Sequence, residues 1–154
     1  NLTKIKVGLS WRSTGVKNSD RNILLSKLTS VFPKQNFDII NLQYGNVDLD
    51  IRTLEKKEGR ELIHFNNFDY KNDLEGLSAL ICNCDLVVSI ANAVAHLSGS
   101  LGKNTCVLVP TDSQWYWYSK SKVSLWYPSI RLLRQKLLVN GEIKPILFFN
   151  CLLL

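Results

Sequence analysis

Short apolar runs alternate along the chain with longer segments whose apolar residues recur at helical spacing. The run at 85–90, DLVVSI, is too short for a helix and apolar on both faces, which is typical of a central strand in a parallel sheet. A second buried run lies at 105–109 and ends at Pro110. Further strands are predicted at 5–10, 37–42, 61–65 and 129–134.

The first predicted helix follows the first strand and ends near residue 32. Ser19 or Asp20 can cap it. Its buried face would be formed by Ile23, Leu24, Leu28 and either Val31 or Phe32.

Three more helices separate the later strands. A short amphipathic helix is predicted at 48–57, and Asp73 can cap a helix over 74–83. The segment 93–101 is rich in small residues, which suit a helix packed closely on a sheet, and Gly102 follows as its stop. An apolar C-terminal helix is predicted within 137–154; it starts at Glu142, so that Pro145 falls in its first turn.

Strands that alternate with helices predict an α/β, Rossmann-like, doubly wound parallel sheet of about six strands in order 3-2-1-4-5-6. Residues 1–154 would then form one domain. The order of strands changes direction between the first and fourth strands, and ligands of such sheets bind at this switch point. The loop at 11–20, WRSTGVKNSD, and the turn Ala91-Asn92 would both lie over that crevice.

Composition adds limits to this picture. The 154 residues are 45% hydrophobic and 21% charged, which indicates a globular domain, and no apolar run is long enough to cross a bilayer. The four cysteines lack the spacing of a metal site, so we expect buried, reduced thiols and no metal. The chain has no methionine, even at position 1, so we expect it to be a piece of a longer protein.

The net charge of +6 is concentrated at one end of the chain. Residues 1–34 carry seven Lys or Arg and one Asp, whereas the remaining 120 residues carry equal numbers of basic and acidic side chains. The excess positive charge therefore surrounds the first strand and the loop after it. This distribution favours a localised anionic ligand over an extended nucleic-acid surface.

Four segments together resemble the C-terminal domain of a GT-B glycosyltransferase of the ADP-heptose:lipopolysaccharide heptosyltransferase family (glycosyltransferase family nine). They are VGLSWRSTG, NLQYG, CDLVVSIANAVAHLSGSLGKNTCVLVPTD and WYPSIRLLRQ, within residues 5–135. The chain is most similar to the bacterial members fused to tetratricopeptide repeats. The resemblance implies a donor-binding domain whose N-terminal partner domain supplies the acceptor site. The family's Asp-Thr-Gly-Pro-x-His turn corresponds to residues 91–96, where only the histidine is shared and Ala91 replaces the acidic residue.

A diphosphate at the switch point would need cations and hydrogen-bond donors. The candidate residues are Ser10, Arg12, Ser13 and Lys17 in the first loop, and Asn92, Ala93, Val94 and His96 at the start of the following helix. Each also has a structural interpretation: the cations can be solvated loop charges, Asn92 an ordinary N-cap, and His96 a packed helix residue.

The nucleoside is expected at the end of the second predicted strand, where Gln43, Tyr44 and Gly45 lie. Asp112 and Trp115 are candidate cleft residues. The loop 115–127 holds six aromatic residues interleaved with lysines, a pattern also found in single-stranded nucleic-acid binders. The simpler interpretation is a loop that packs over the domain and lines the interdomain cleft.

The expected function is metal-independent transfer of a sugar from a nucleotide-diphospho-sugar to a glycan, lipid or protein, without a cofactor. No catalytic residue can be assigned from the sequence. The alternative is a non-catalytic, degenerate transferase domain that binds protein or nucleic acid. The expected partners are the nucleotide-sugar and, at the apolar tail, an N-terminal acceptor domain or a second copy of the chain. The resemblance implies a cytoplasmic protein, peripheral to the inner membrane.

Overall fold

The structure is a computed structural model that describes residues 3–13, 22–110, 115–117 and 121–134. Several predictions fall outside these residues. They are the Ser19 or Asp20 helix cap, the roles of Lys17 and Asp112, and the helix at 137–154.

A five-stranded parallel sheet forms the centre of the fold, in the order β2-β1-β3-β4-β5. The strands are β1 (Ile5–Ser10), β2 (Phe37–Asn41), β3 (Leu86–Ile90), β4 (Thr105–Val109) and β5 (Ile130–Arg134). All four neighbouring pairs are parallel. The α/β, Rossmann-like doubly wound prediction is therefore confirmed, and each strand lies within one residue of its predicted start and end.

The remaining predicted strand, at 61–65, is reduced to one bridge. Ile63 lies parallel to Ile40 at the outer side of β2. The Ile63 amide donates to the Ile39 carbonyl at 2.8 Å, and the Asn41 amide donates to the Ile63 carbonyl at 2.9 Å. The position agrees with the expected strand order, but the segment is too short for a ladder because the chain enters a turn at Asn66.

In the described residues, four α-helices connect the strands: α1 (Leu25–Thr29), α2 (Asp48–Glu58), α3 (Leu74–Asn83) and α4 (Ala93–Ser100). The prediction for α1 was wrong in length and in one face residue. This helix begins at Leu25, and Leu24 is 66% exposed, whereas Leu25 and Leu28 are buried. Val31 and Phe32 are also buried but follow the helix in a turn.

The other helices agree closely with the sequence pattern. The Asp73 carboxylate accepts a hydrogen bond from the Gly76 amide at 2.8 Å and caps α3. After α4, Gly102 takes a left-handed φ of 67°, as expected for a residue that ends a helix.

Helices cover both faces of the sheet, so its central strand is buried throughout. All five residues of β3 are buried. Val88 packs in the cluster that includes Leu28 of α1, whereas Val87 packs with Ile81 of α3 on the opposite face. Alternating residues of one strand thus fill two cores, which explains why its sequence is apolar on both faces.

Gly8 on β1 allows the second of these layers to approach closely. A Cβ at this position would lie 2.4 Å from Leu42 Cδ1 and 2.9 Å from Cys84 Sγ. Both neighbours are side chains of the buried cluster around α3. A larger residue at position 8 would therefore push the end of β2 and the start of β3 away from β1.

A short antiparallel segment runs along the outer side of β5. The Ser124 amide donates to the Ile130 carbonyl, and the Leu132 amide donates to the Lys122 carbonyl. Val123 and Arg131 form an antiparallel bridge between these bonds. Among the helices in the described ranges, none combines the length and apolarity needed to cross a membrane.

Candidate functional site

The candidate site lies where β1 and β3 are neighbours and their connections leave in opposite directions. From β1 the chain continues to β2 on one side, and from β3 it continues to β4 on the other. The carboxyl ends of both strands, with the first residues of α4, therefore border one crevice. The sequence predicted this arrangement correctly.

Asn92 joins the two sides of the crevice. Its Oδ1 accepts hydrogen bonds from the Val94 amide at 3.0 Å and from Ser89 Oγ at 2.9 Å. Its Nδ2 donates to Ser10 Oγ at 2.8 Å and to the Arg12 carbonyl at 3.3 Å. Asn92 thus caps α4 and fixes the helix N-terminus against the end of β1.

The start of α4 retains hydrogen-bonding capacity for a ligand. The Val94 amide is used by the Asn92 side chain. The amide of Ala93 has no partner in the parts of the chain that the structure describes, and Ala93 is exposed. A helix N-terminus with an unpaired amide favours an anion through both hydrogen bonding and the helix dipole.

Gln43 holds the loop that follows β1. Its side chain is fully buried, and Oε1 accepts from Ser10 Oγ at 3.1 Å, the Trp11 amide at 2.9 Å and the Arg12 amide at 2.8 Å. Its Nε2 donates to the Tyr44 carbonyl at 2.9 Å. The structure therefore gives the Gln43 side chain a supporting position beneath the site, with its oxygen surrounded by protein donors.

The same network continues outward from Gln43 to Asn41 and His64. Asn41 Oδ1 accepts from the Gln43 amide at 3.0 Å, so Asn41 Nδ2 faces His64 Nδ1, 3.1 Å away. Because an amide nitrogen can only donate, this geometry makes Nδ1 the acceptor and leaves the hydrogen on Nε2. Sequence reasoning assigned no role to Asn41 or His64. The signal available was the polar N-x-Q pattern directly after the apolar residues of β2.

Arg12 is paired within the protein. Its Nε lies 3.3 Å from Asp50 Oδ2, and its Nη2 donates to the Asn46 carbonyl. Asp50 also accepts from Trp11 Nε1 at 2.9 Å, so α2 holds both residues of the loop. The Arg12 side chain keeps 36% of its surface exposed. The Ser13 amide donates to Asn22 Oδ1 at 2.8 Å, which closes the base of this loop.

His96 lies in an aromatic cluster on the outer part of α4. Its ring stacks on Trp117 with centroids 4.9 Å apart, its Nδ1 lies 3.2 Å from Tyr127 Oη, and its edge contacts Tyr116. Burial lowers the pKa of His96. The structure therefore does not join His96 to the hydrogen bonds around Asn92.

Among the described residues of 115–127, some of the aromatic side chains pack on the domain, as the simpler interpretation predicted. Trp117 is 1% exposed, and Tyr127 lies against Gly99, where a Cβ would come within 2.5 Å of the ring. Trp115 is 77% exposed and contacts Trp126 edge-to-face. Tyr44 is partly buried against the cluster around α3, and Gly45 has a φ of 83°.

Comparison with known proteins finds a similar fold in a glycosyltransferase. A solved structure described as the glycosyl transferase family 9 from Veillonella parvula DSM 2008 matches 88% of the chain with a TM-score of 0.56 at 14% sequence identity. The chain spans 36% of that protein. At this identity the likeness shows the fold alone.

One curated relative is similar in sequence. Protein FlbA from Caulobacter vibrioides is 30% identical over 129 residues, which make up 82% of this chain and 21% of FlbA. The chain therefore spans about a fifth of that relative's length. No family model matches the sequence.

Proposed function

We propose that the chain is the donor-binding domain of a GT-B-type glycosyltransferase and holds the diphosphate of a nucleotide-sugar at the switch point. The observation that carries the proposal is the network around Asn92, which fixes the N-terminus of α4 beside Ser10 and Arg12 and leaves the Ala93 amide without a partner among the described residues. The glycosyltransferase-like fold supports it.

In the proposed reaction the diphosphate leaves as the sugar is transferred to an acceptor. Negative charge develops on the leaving oxygen, and fixed donors at that point lower the barrier. The helix N-terminus, Arg12 and Lys17 would supply this stabilisation. The acceptor site belongs to another domain in this proposal. Fusion to tetratricopeptide repeats and a cytoplasmic location stay predictions from the resemblance.

Titration calorimetry with UDP, ADP and GDP tests the binding step directly. We expect at least one of the three to bind at millimolar concentration or below, and pyrophosphate to retain part of that affinity. Failure of all three nucleotides and of pyrophosphate would contradict the proposal.

The pairing of Arg12 with Asp50 makes the test sharper. If Arg12 contacts phosphate, Arg12→Ala should weaken diphosphate binding by about 1.5–3 kcal/mol and leave nucleoside binding unchanged. Asp50→Asn should strengthen diphosphate binding, because it releases Arg12 from its ion pair while keeping an oxygen for Trp11 Nε1. Equal losses for nucleoside and diphosphate in Arg12→Ala would show that the residue only supports the loop.

A non-catalytic binding domain is the second candidate. Ala91 replaces the acidic residue of the heptosyltransferase turn, and Arg12 is already neutralised by Asp50. Steeply salt-dependent binding of single-stranded RNA, without nucleotide binding, would favour this candidate.

A further inference from the structure

A groove lies between the segment 64–68 and α3, on the outer side of β2. Its volume is about 670 Å³, within the range of small-molecule sites. Its nine lining residues are aromatic, aliphatic, amide, glycine and histidine residues: His64, Phe65, Asn66, Asn67, Phe68, Gly76, Ala79, Leu80 and Asn83. No carboxylate, lysine or arginine is among them, so the groove does not suit an anion.

The aromatic wall of the groove is fixed from behind. The His64 ring stacks on Tyr70 with centroids 5.4 Å apart and an interplanar angle of 10°. Tyr70 contacts Phe68 edge-to-face at 4.7 Å, and its hydroxyl accepts from the Phe65 amide at 2.9 Å. Contacts with the buried Tyr70 therefore hold the rings of His64 and Phe68, whereas Phe65 is held through its backbone amide.

Gly76 allows the opposite wall to come close. A Cβ at this position would lie 2.5 Å from Phe68 Cε2, so the ring rests directly on the first turn of α3. Ala79 and Asn83 continue the same side of the helix along the groove. The aromatic residues and one face of α3 thus form the two sides of an open groove.

Polar groups line the rim. The side chains of Asn66 and Asn67 have no hydrogen-bond partner within the described ranges, and both residues are exposed. Asn83 donates through Nδ2 to the Ala79 carbonyl at 2.9 Å, which leaves its Oδ1 for a ligand. Amide side chains offer donors and acceptors together, which matches the mixed edge of a nucleobase.

The groove also connects to the switch point. His64 in the groove wall bonds Asn41, Asn41 bonds Gln43, and Gln43 holds the loop after β1. A ligand ring in the groove would thus lie beside the end of β2, which is the region where the nucleoside is expected. The amide side chains of the rim would be available to bind this ring.

We propose that this groove binds a neutral heteroaromatic ring of the nucleobase class. The ring lies against Phe65 and Phe68, and its polar edge faces Asn66, Asn67 and Asn83. As the base of the donor nucleotide, it would deepen the proposed function and rest on it. As a free nucleoside, it would be a separate ligand of the same chemistry.

The test uses the full chain with adenosine, uridine and guanosine, their diphosphates, and pyrophosphate as probes. Two variants alter the groove: Phe65→Ala removes a 48% exposed ring, and Ala79→Phe fills the space from an exposed position of α3. Trp126→Ala is the matched control, since it removes an aromatic ring that is 62% exposed and outside the groove.

We expect at least one nucleoside to bind, and both groove variants to weaken it tenfold or more while pyrophosphate and the control are unchanged. If the wild type binds the matching nucleoside diphosphate more tightly than pyrophosphate, while both groove variants bind the two ligands with equal affinity, the ring in the groove is the base of the donor nucleotide. If the nucleoside binds but its diphosphate gains nothing over pyrophosphate, the groove is a separate nucleoside site.

The absence of nucleoside binding, or equal binding by the wild type and both groove variants, would overturn the inference. If the wild type does not bind pyrophosphate, that result would instead count against the proposed function. It would not affect the inference that the groove binds a nucleoside. The two failures are therefore distinguishable in one titration series.

Discussion

At the scale of single residues, Gln43 is the side chain on which the candidate site most depends. One buried oxygen accepts three hydrogen bonds, one from the last residue of β1 and two from the loop after it. Without it, two backbone amides and one hydroxyl would remain buried with poor alternatives. The geometry of the loop at the crevice therefore depends on Gln43 as much as on the sequence of the loop itself.

We expect Gln43→Ala to lower the free energy of unfolding by about 2–3 kcal/mol, because it leaves buried donors unsatisfied. Urea denaturation measures this value. Gln35→Ala is the control, since Gln35 is exposed, and it should change stability by less than about 0.5 kcal/mol. Similar effects of the two substitutions would contradict the supporting role of Gln43.

His96 should make stability depend on pH. Burial lowers its pKa, so in the range below the ordinary pKa of histidine the unfolded chain binds a proton that the folded chain does not. The contribution of His96 to the free energy of unfolding is therefore fully present above the ordinary pKa of histidine. It is lost as the pH falls from that value toward the lowered pKa.

The urea concentration at the unfolding midpoint should decrease as the pH is lowered from about 7.5 to about 5.5. His96→Phe keeps a ring on Trp117 and should reduce this fall. His64→Asn serves as the comparison, because these are the two histidines of the chain. An unchanged fall in His96→Phe would assign the pH dependence to other groups.

The sequence could not reveal these residue roles. Gln43 and Tyr44 both follow the apolar residues of β2, yet Gln43 is fully buried and Tyr44 is only partly buried. The basic character of Arg12 is visible in the sequence, but its pairing depends on how α2 brings Asp50 beside the loop. Such pairings depend on long-range packing, which local patterns do not encode.

At the scale of secondary-structure elements, the sequence was more informative. β3 and β4 were predictable because strands buried on both faces have nearly continuous apolar sequences, as LVVSI and TCVLV do. α3 was predictable because Asp73 supplies a local cap. By contrast, α1 begins without a side-chain cap, so the apolar spacing at 23–32 fitted a longer helix than the one that forms.

Removing the caps of α3 and α4 should have unequal effects. Asp73→Ala should cost about 1 kcal/mol of stability, the usual value for one cap hydrogen bond. Asn92→Ala should cost about 2–4 kcal/mol, because Asn92 is 8% exposed and also bonds Ser10 and Ser89.

Chemical denaturation of both variants gives the comparison, and pyrophosphate titration adds a second measurement. Asn92→Ala should weaken pyrophosphate binding, whereas Asp73→Ala should leave it unchanged. Equal stability losses, with unchanged pyrophosphate binding in both, would show that Asn92 acts as an ordinary cap.

At the scale of the whole molecule, ligand binding at the switch point should stabilise the fold. The crevice is built from β1 on one side and from β3 with α4 on the other, and these two sides meet only in the folded chain, where Asn92 bonds Ser10, 82 residues away in sequence. A ligand that binds this arrangement cannot bind the unfolded chain in the same way, so it shifts the unfolding equilibrium by mass action.

Pyrophosphate at ten times its dissociation constant should add about 1.4 kcal/mol and raise the melting temperature by roughly 3–6 °C. Thermal unfolding followed by circular dichroism measures the shift. Sulfate at equal ionic strength controls for general salt effects. An equal shift with sulfate would contradict specific binding of a diphosphate.

The two single bridges at the rims of the sheet have a consequence for how copies of the protein behave at high concentration. An open rim of a β-sheet is a template on which another chain can add a strand, and this is a common route to aggregation. Here Ile63 lies beside β2 and residues 122–124 lie beside β5, and each makes backbone hydrogen bonds to the strand it covers. Loss of either cover would expose unpaired amides and carbonyls of a strand rich in β-branched or leucine residues. These short pairings add little to the core, but they protect the edges of the sheet from pairing with strands of other copies of the protein.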